Sequence, residues 1–460
     1  MPHRRSPASS LTEKRIPAGR PRSAWFSGPA ALLLLLLAAG CSSAPDRARV
    51  PDIAAEPPAY DYPIDNPWLA TIIRTPPEQR AILPEPEETE RRTISIFPDR
   101  QVPEGFWYYR GLNYTAMTQP GPAPLAFVIA GTGADDRAGV AATLGRALYA
   151  AGMHVALLPS PTHPNFIVTA SATSLPGRAT QDAADLLRAM RAVEEDLGKD
   201  GVGITGFHLT GYSLGGWHAA FVAMLDGQDP HFRFGRVLLL NPPISLYSSI
   251  RTIDRMLTER LPHGVDDLTT YLDQATERVS SVLRTTDALE FDGANPALTL
   301  YEQIDPDDDD LAAAIGLSFR LSSANLIFTA DVMSNSGYIF PRNRPFLSTT
   351  PLQDYFAVSI RTSFLDYFRD IYSEFYGRGP DPDREALIRQ ASLTSIAGFL
   401  TDAGHVAAFT NRDDVILAPG DLQELQRLFG SRLHVYPNGG HLGNVEHRAV
   451  VADIVNFFKG

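Results

Sequence analysis

The stretch Ile204-Thr205-Gly206-Phe207-His208-Leu209-Thr210-Gly211-Tyr212-Ser213-Leu214-Gly215-Gly216 decides how this chain is read. Residues 211–215 spell G-x-S-x-G, with an extra glycine behind. The run Ile204 to Leu209 is short, mostly apolar and partly β-branched, which predicts a strand. Trp217 to Leu225 is rich in Ala, Phe, Val, Met and Leu, which predicts a helix. A serine on a sharp strand-to-helix turn is a nucleophile elbow. The glycines suit such a turn, because a Cβ would clash where it packs tightly against its neighbours. The pentapeptide alone is weak, and a serine in a Gly-rich loop is the bland alternative. A base, an acid and an oxyanion hole in the right chain order must carry the rest.

The candidate base is His441. It follows Gly439-Gly440 and a short alternating run, Arg432 to Tyr436, that predicts a strand; a helix at about 446–458 closes the chain. The acid should lie between serine and histidine. His405 to Thr410 predicts a buried strand running into Asn411-Arg412-Asp413-Asp414. A carboxylate past a strand end can accept from imidazole Nδ1–H and fix the tautomer. Asp414 is favoured, because branched Ile416 two positions on would seat the turn. Asp413 stays open as the alternative acid, and whichever is not used is expected to be a solvated turn residue. Pro124 to Ala130 predicts another strand, followed by Gly131-Thr132-Gly133. One N–H from this loop, of Thr132 or Gly133, and that of Leu214 are the expected oxyanion donors. A nucleotide-binding reading of the glycines fails, since Asp136 stands where a third glycine would be needed.

With these segments in this order, the chain resembles the α/β-hydrolase superfamily over roughly 93–460. The resemblance implies an α/β-hydrolase fold: a mostly parallel sheet with helices on both faces and a large, mainly helical cap insertion. It implies a serine hydrolase working through an acyl-enzyme, with Ser213, Asp414 and His441 as triad. The superfamily often has His-Gly at the oxyanion loop, and here the pair is Ala130-Gly131. The expected substrate is a small-molecule ester or lipid-like molecule. A peptidase or amidase on the same scaffold, and a catalytically idle lipid-anchored binding protein, are the alternatives. No cofactor and no metal are expected.

Composition is compatible with this reading. The chain has 460 residues, 44 % hydrophobic and 20 % charged, enough for one catalytic domain with an insertion or for two domains. Net charge is −13; residues 1–41 contribute +5, leaving −18 on the rest. Such acidity argues against nucleic acid as a partner. The N-terminus has a basic stretch ending in Arg20 and Arg22, six leucines from Leu32 to Leu37, then Ala38-Ala39-Gly40-Cys41. This predicts a signal peptide, with an apolar region too short to span a bilayer comfortably. Small residues before the lone cysteine resemble a bacterial lipoprotein box, which implies lipidation of Cys41 and a membrane partner through that anchor. Ser42 after the cysteine suggests the outer membrane over the inner.

The expected organisation is a signal at 1–41, a Pro-rich tether at 42–92, a catalytic core at 93–242 and 391–460, and a helical cap at 243–390. The tether is expected to be extended, with Tyr60-Asp61-Tyr62 to Leu69 as a stretch that could dock on the core. Expected cap helices are Ser248 to Leu261, Asp267 to Leu289, Asp308 to Ser322 and Tyr355 to Tyr376, the last aromatic-rich and packed within the cap. Asp305 to Asp310 is expected to be a solvated helix start, His163 a loop residue at the rim, and His218 a satisfied core histidine. Asn241 follows a strand where some hydrolases place the acid, a role that an amide cannot fill.

Overall fold

A computed structural model of the chain describes residues 59–86, 88–285, 301, 304–377 and 383–460. The expected signal segment, Cys41 and the first part of the Pro-rich stretch lie outside the described residues.

The described chain opens with helix α1 (Pro67–Ile73) and strands β1 (Thr89–Ile94), β2 (Leu112–Met117) and β3 (Ala123–Ile129). Then come α2 (Gly139–Ala150), β4 (His154–Leu158), α3 (Pro164–Thr169), α4 (Ala179–Lys199), β5 (Ile204–Tyr212), α5 (Leu214–Gln228) and β6 (Val237–Leu240). The cap carries α6 (Leu246–Thr258), α7 (Leu268–Thr285), α8 (Asp308–Ser334), α9 (Gln353–Arg361) and α10 (Phe364–Tyr367). The last runs through a π-turn, Phe368–Tyr372, into a further helical turn, Ser373–Tyr376. The core resumes with β7 (Val406–Asn411), α11 (Asp421–Phe429), β8 (Leu433–Tyr436) and α12 (Arg448–Lys459).

The eight strands form one sheet in the order β1-β2-β4-β3-β5-β6-β7-β8. β2 runs antiparallel to both β1 and β4, and the other pairs are parallel. Side chains alternate between the faces of a strand, and β3 shows what that does here. Leu125, Phe127 and Ile129 enter one apolar cluster with Leu186, Met190, Trp217 and Phe221 of α4 and α5. Ala126 and Val128 enter another with Leu144 and Leu148 of α2 and Ile454 and Phe458 of α12. Burial on both faces explains why the central strands read as continuous apolar runs. Strand order, parallel centre and covered faces make this an α/β-hydrolase fold.

Two expectations need correction. The Pro-rich stretch is not an extended tether throughout. Pro67 sits at the first turn of α1, where its missing N–H costs nothing, and Asn66 caps that helix by accepting from the Trp68 and Leu69 amides. Residues 60–80 form a strap on the core, and β1 already begins at Thr89 and pairs with β2. The aromatic segment is likewise two helices, not one. The chain breaks at Thr362, and Ser363 restarts it with a capping box to Asp366.

Helix α8 organises the cap and runs on to Ser334, well past the expected Ser322. It crosses α6 so closely that a Cβ on Gly316 would stand 2.7 Å from the Leu257 nitrogen. Arg320, almost fully buried, pairs there with Asp254 of α6. Its start is capped by Asp307, whose side chain accepts from the Asp310 amide and pairs with Arg260. The tyrosines of the aromatic segment reach beyond the cap. Tyr367 and Tyr376 hydroxyls donate to the Pro176 and Leu175 carbonyls, each at 2.9 Å, fastening the cap to a core loop.

Candidate active site

β5 delivers Ser213 at the carboxyl edge of the sheet. Its φ is 55° and its ψ −126°, a conformation that L side chains seldom adopt. The glycines on either side make it possible. A Cβ on Gly211 would stand 2.2 Å from the Gly215 carbonyl oxygen, and one on Gly215 would stand 2.1 Å from that of Ile129. The Ser213 amide donates to the Leu240 carbonyl at 2.8 Å, and the Ser213 carbonyl accepts from the Trp217 amide to start α5.

The structure brings Ser213, His441 and Asp414 together. His441 Nε2 lies 2.9 Å from Ser213 Oγ. His441 Nδ1 lies 3.0 and 3.1 Å from the two Asp414 oxygens. An ionised carboxylate only accepts, so Nδ1 carries the proton and Nε2 offers its lone pair to the serine hydroxyl. Asp414 is buried, and two further donors hold it: the Ile416 amide at 3.1 Å and the Asn241 side-chain amide at 2.8 Å. Asn241 cannot be an acid; instead it orients the candidate one. A polar residue ending the apolar run Val237 to Leu240 was the available signal.

The adjacent aspartates divide the work. Asp413, expected to be solvated if not the acid, is half-buried. It accepts from the Gly439 and Gly440 amides at 3.2 and 3.0 Å, clamping the loop that carries His441. Burial raises its pKa, opposed by those two N–H groups. Asn411 and Asn444 exchange amide hydrogen bonds behind the loop, and Asn411 also donates to the Gly440 carbonyl at 2.7 Å.

The strap closes the loop from outside. Thr71 Oγ1 accepts from the His441 amide at 2.9 Å and donates to the Pro67 carbonyl at 2.7 Å. The Tyr60 hydroxyl donates to the Asn438 carbonyl at 2.6 Å and accepts from Asn444 at 3.0 Å. Thr75 donates to the Gly443 carbonyl at 2.9 Å. Gly440 has φ 56°, and a Cβ there would stand 2.2 Å from the Pro67 carbonyl oxygen. Sequence reading flagged Tyr60-Asp61-Tyr62 to Leu69 as able to dock, but nothing in it named Thr71.

On the oxyanion side, Leu214 is the first residue of α5, where helix N–H groups lack intrahelical acceptors. Leu214 and Thr132 line one small cavity of about 10 Å³, with Thr162, His218, Phe319 and Phe364. Gly133 is a correction. Its amide donates to Thr162 Oγ1 at 2.8 Å, so of the two loop candidates Thr132 is the one left for a substrate. The cap presses on this loop: a Cβ on Gly133 would stand 3.0 Å from Ser322 Cβ of α8. A second narrow cavity, about 20 Å³, is walled by Tyr247, Phe368, Tyr372 and Ile388 and shares Gly177, Leu246, Ile250 and Phe364 with the first. Larger surface grooves, about 310 and 400 Å³, are lined by other residues, Asp331 and Phe346 in one and Gln119 and His154 in the other; none of the four cavities is lined by a triad residue. His163 caps α3 by accepting from the Asn165 amide at 3.2 Å, and burial lowers its pKa.

No family model matches the chain, and no curated protein sequence matches it. Among solved structures, it is similar to the thioesterase domain from the curacin biosynthetic pathway, at 12 % identity and TM-score 0.36, over 80 % of this chain and 100 % of that one. It is similar to Est1E from Butyrivibrio proteoclasticus at 11 % identity and TM-score 0.35, over 76 % and 94 %. It is also similar to a hyperthermophilic esterase from Pyrobaculum calidifontis at 15 % identity and TM-score 0.37, over 82 % and 84 %.

Proposed function

We propose that this protein is a serine hydrolase that cleaves a carboxylic ester through an acyl-enzyme on Ser213. The observation that carries the reading is the continuous relay from Ser213 Oγ through His441 to buried Asp414, at 2.9 and 3.0 Å. In the reaction, Nε2 takes the hydroxyl proton as Oγ attacks the ester carbonyl. The amides of Leu214 and Thr132 receive the oxyanion, and Asp414 stabilises the imidazolium. His441 then protonates the departing alkoxide. It next activates a water that releases the acid and restores the serine.

A fluorophosphonate probe tests this directly. Wild-type protein is expected to label at Ser213 and Ser213→Ala not to label, with ester turnover falling by about four orders of magnitude or more. p-Nitrophenyl esters of increasing chain length, set beside matched anilides, separate an esterase from an amidase. An unlabelled wild type would mean an idle binding protein.

Anchoring of the mature protein in the bacterial envelope through a lipid on Cys41, at the outer membrane in preference to the inner, belongs to the same proposal. Its support is the Leu-rich segment ending in the chain's single cysteine. Metabolic labelling with palmitate, lost in Cys41→Ala together with membrane fractionation, is the expected result.

A further inference from the structure

One polar pair beside the nucleophile has no part in the relay. His218 and Asp182 are both buried, at 0 % and 2 % exposure. His218 Nε2 lies 3.2 Å from Asp182 Oδ2, which also accepts from the Gly177 amide at 2.7 Å. An ionised Asp182 fixes the histidine as the Nε2–H tautomer and leaves Nδ1 as a bare acceptor. That nitrogen is buried with no hydrogen-bond partner among the described residues. Sequence reading expected a satisfied core histidine, and only half of the ring is satisfied.

His218 also lines the cavity shared by Leu214 and Thr132. His218 lies four residues after Leu214 in α5, hence one turn along the same face. The rest of the wall includes apolar Leu246, Ile250, Phe319 and Phe364 and the hydroxyl-bearing Thr132 and Thr162, none of which bonds Nδ1. A space of about 10 Å³ is the size of one water or one small polar substituent.

We infer that His218 is an acyl-group subsite: its Nδ1 accepts a hydrogen bond from a hydroxyl on the second or third carbon of a short acyl chain. This rests on the serine-hydrolase reading and deepens it from any ester to esters of short hydroxy acids. An acyl group lacking the hydroxyl leaves a buried acceptor unpaired, and polar sites of this kind discriminate strongly against the analogue that lacks the group.

The test compares kcat/KM for p-nitrophenyl butyrate and p-nitrophenyl 3-hydroxybutyrate in wild type, His218→Phe and His218→Gln, with fluorophosphonate labelling of Ser213 run alongside. The wild-type ratio is expected to favour the hydroxy ester about tenfold or more. It should fall to about one in His218→Phe, which has no acceptor, and be partly kept in His218→Gln, whose amide oxygen can accept. A wild-type ratio near one would mean that the cavity takes only a water, and would overturn the subsite. Retention of the full preference in His218→Phe would remove His218 from it. If His218→Phe does not fold, the wild-type ratio and the glutamine variant decide. Absence of labelling in wild type marks a different failure, that of the acyl-enzyme reading, and the subsite falls with it.

Discussion

Ser213 is held by backbone from its own neighbourhood, whereas His441 is held by side chains from distant segments. Around the serine, the contacts that fix the turn are carbonyls and amides of Gly211, Gly215, Ile129 and Leu240, all on the elbow or on flanking strands. Around the histidine, the supports are Thr71 and Tyr60 of the strap, Asn411 at the end of β7, Asp413 just past it, and Asn444 beyond the loop itself. Backbone packed on backbone has no rotamer to change, so the elbow is fixed once the sheet forms. A loop held by side chains can be loosened one bond at a time. The two halves of the candidate site should therefore fail differently.

The largest effect belongs to the elbow. Gly215→Ala sets a Cβ against the Ile129 carbonyl, with no flexible side chain able to give way. Such overpacking is expected to cost about 3 kcal/mol or more and to remove labelling of Ser213 at the same time. Thermal melting and probe labelling check both. A normal melt with normal labelling would show that the elbow can yield and would erase the contrast.

Next comes the acid turn, which borrows from both regimes. Asn241 has φ 46°, so Asn241→Gly keeps the backbone and removes only the amide facing Asp414. Leaving a buried carboxylate short of one donor costs about 1–3 kcal/mol. A fall of roughly 10- to 100-fold in kcat is expected on that scale, with the protein still folded. An unchanged kcat would show that the Ile416 amide and His441 suffice to hold Asp414.

Asp413 gives the loop a pH signature. Burial raises its folded pKa above the ordinary carboxylate range, so the folded state favours its protonated form. The stability it adds is therefore present below the ordinary carboxylate pKa and lost as pH rises through the raised one. As pH rises through and beyond the ordinary carboxylate range, the melting temperature of wild type should fall relative to Asp413→Asn. Parallel curves would mean that the Gly439 and Gly440 amides fully offset the burial.

The same contrast explains what the sequence could disclose. The elbow's requirements are local: glycines two positions from a serine, a strand before, a helix after. They are written in consecutive residues, and the parallel sheet covered on both faces follows from the alternation of apolar runs and helices. The loop's supports are not consecutive. Thr71 lies 370 residues from His441 inside a Pro-rich stretch, where proline content predicts an extended chain and hides that Pro67 starts a helix. Asp413 and Asp414 are adjacent and chemically equal, and only three-dimensional placement assigns one to the imidazole and the other to the loop. The tyrosines at 367 and 376 carry a helical pattern that speaks for packing within the cap. Their bonds to the carbonyls of Pro176 and Leu175 leave no trace in that pattern.

The smallest effect is the most informative about the strap. Thr71→Val keeps the β-branched shape and removes the acceptor for the His441 amide, and Thr71→Ser restores an acceptor. A neutral hydrogen bond of this kind contributes about 1 kcal/mol, so kcat/KM should drop by roughly fivefold in the valine variant and recover in the serine variant. Because the bond positions the backbone of the base and not the substrate, the drop should appear in kcat with KM little changed. Equal loss in both variants would assign the effect to packing of α1 against the core. No loss in either would mean that Asp413 and the asparagine pair fix His441 without help from outside, and that the strap is a cover and not a clamp.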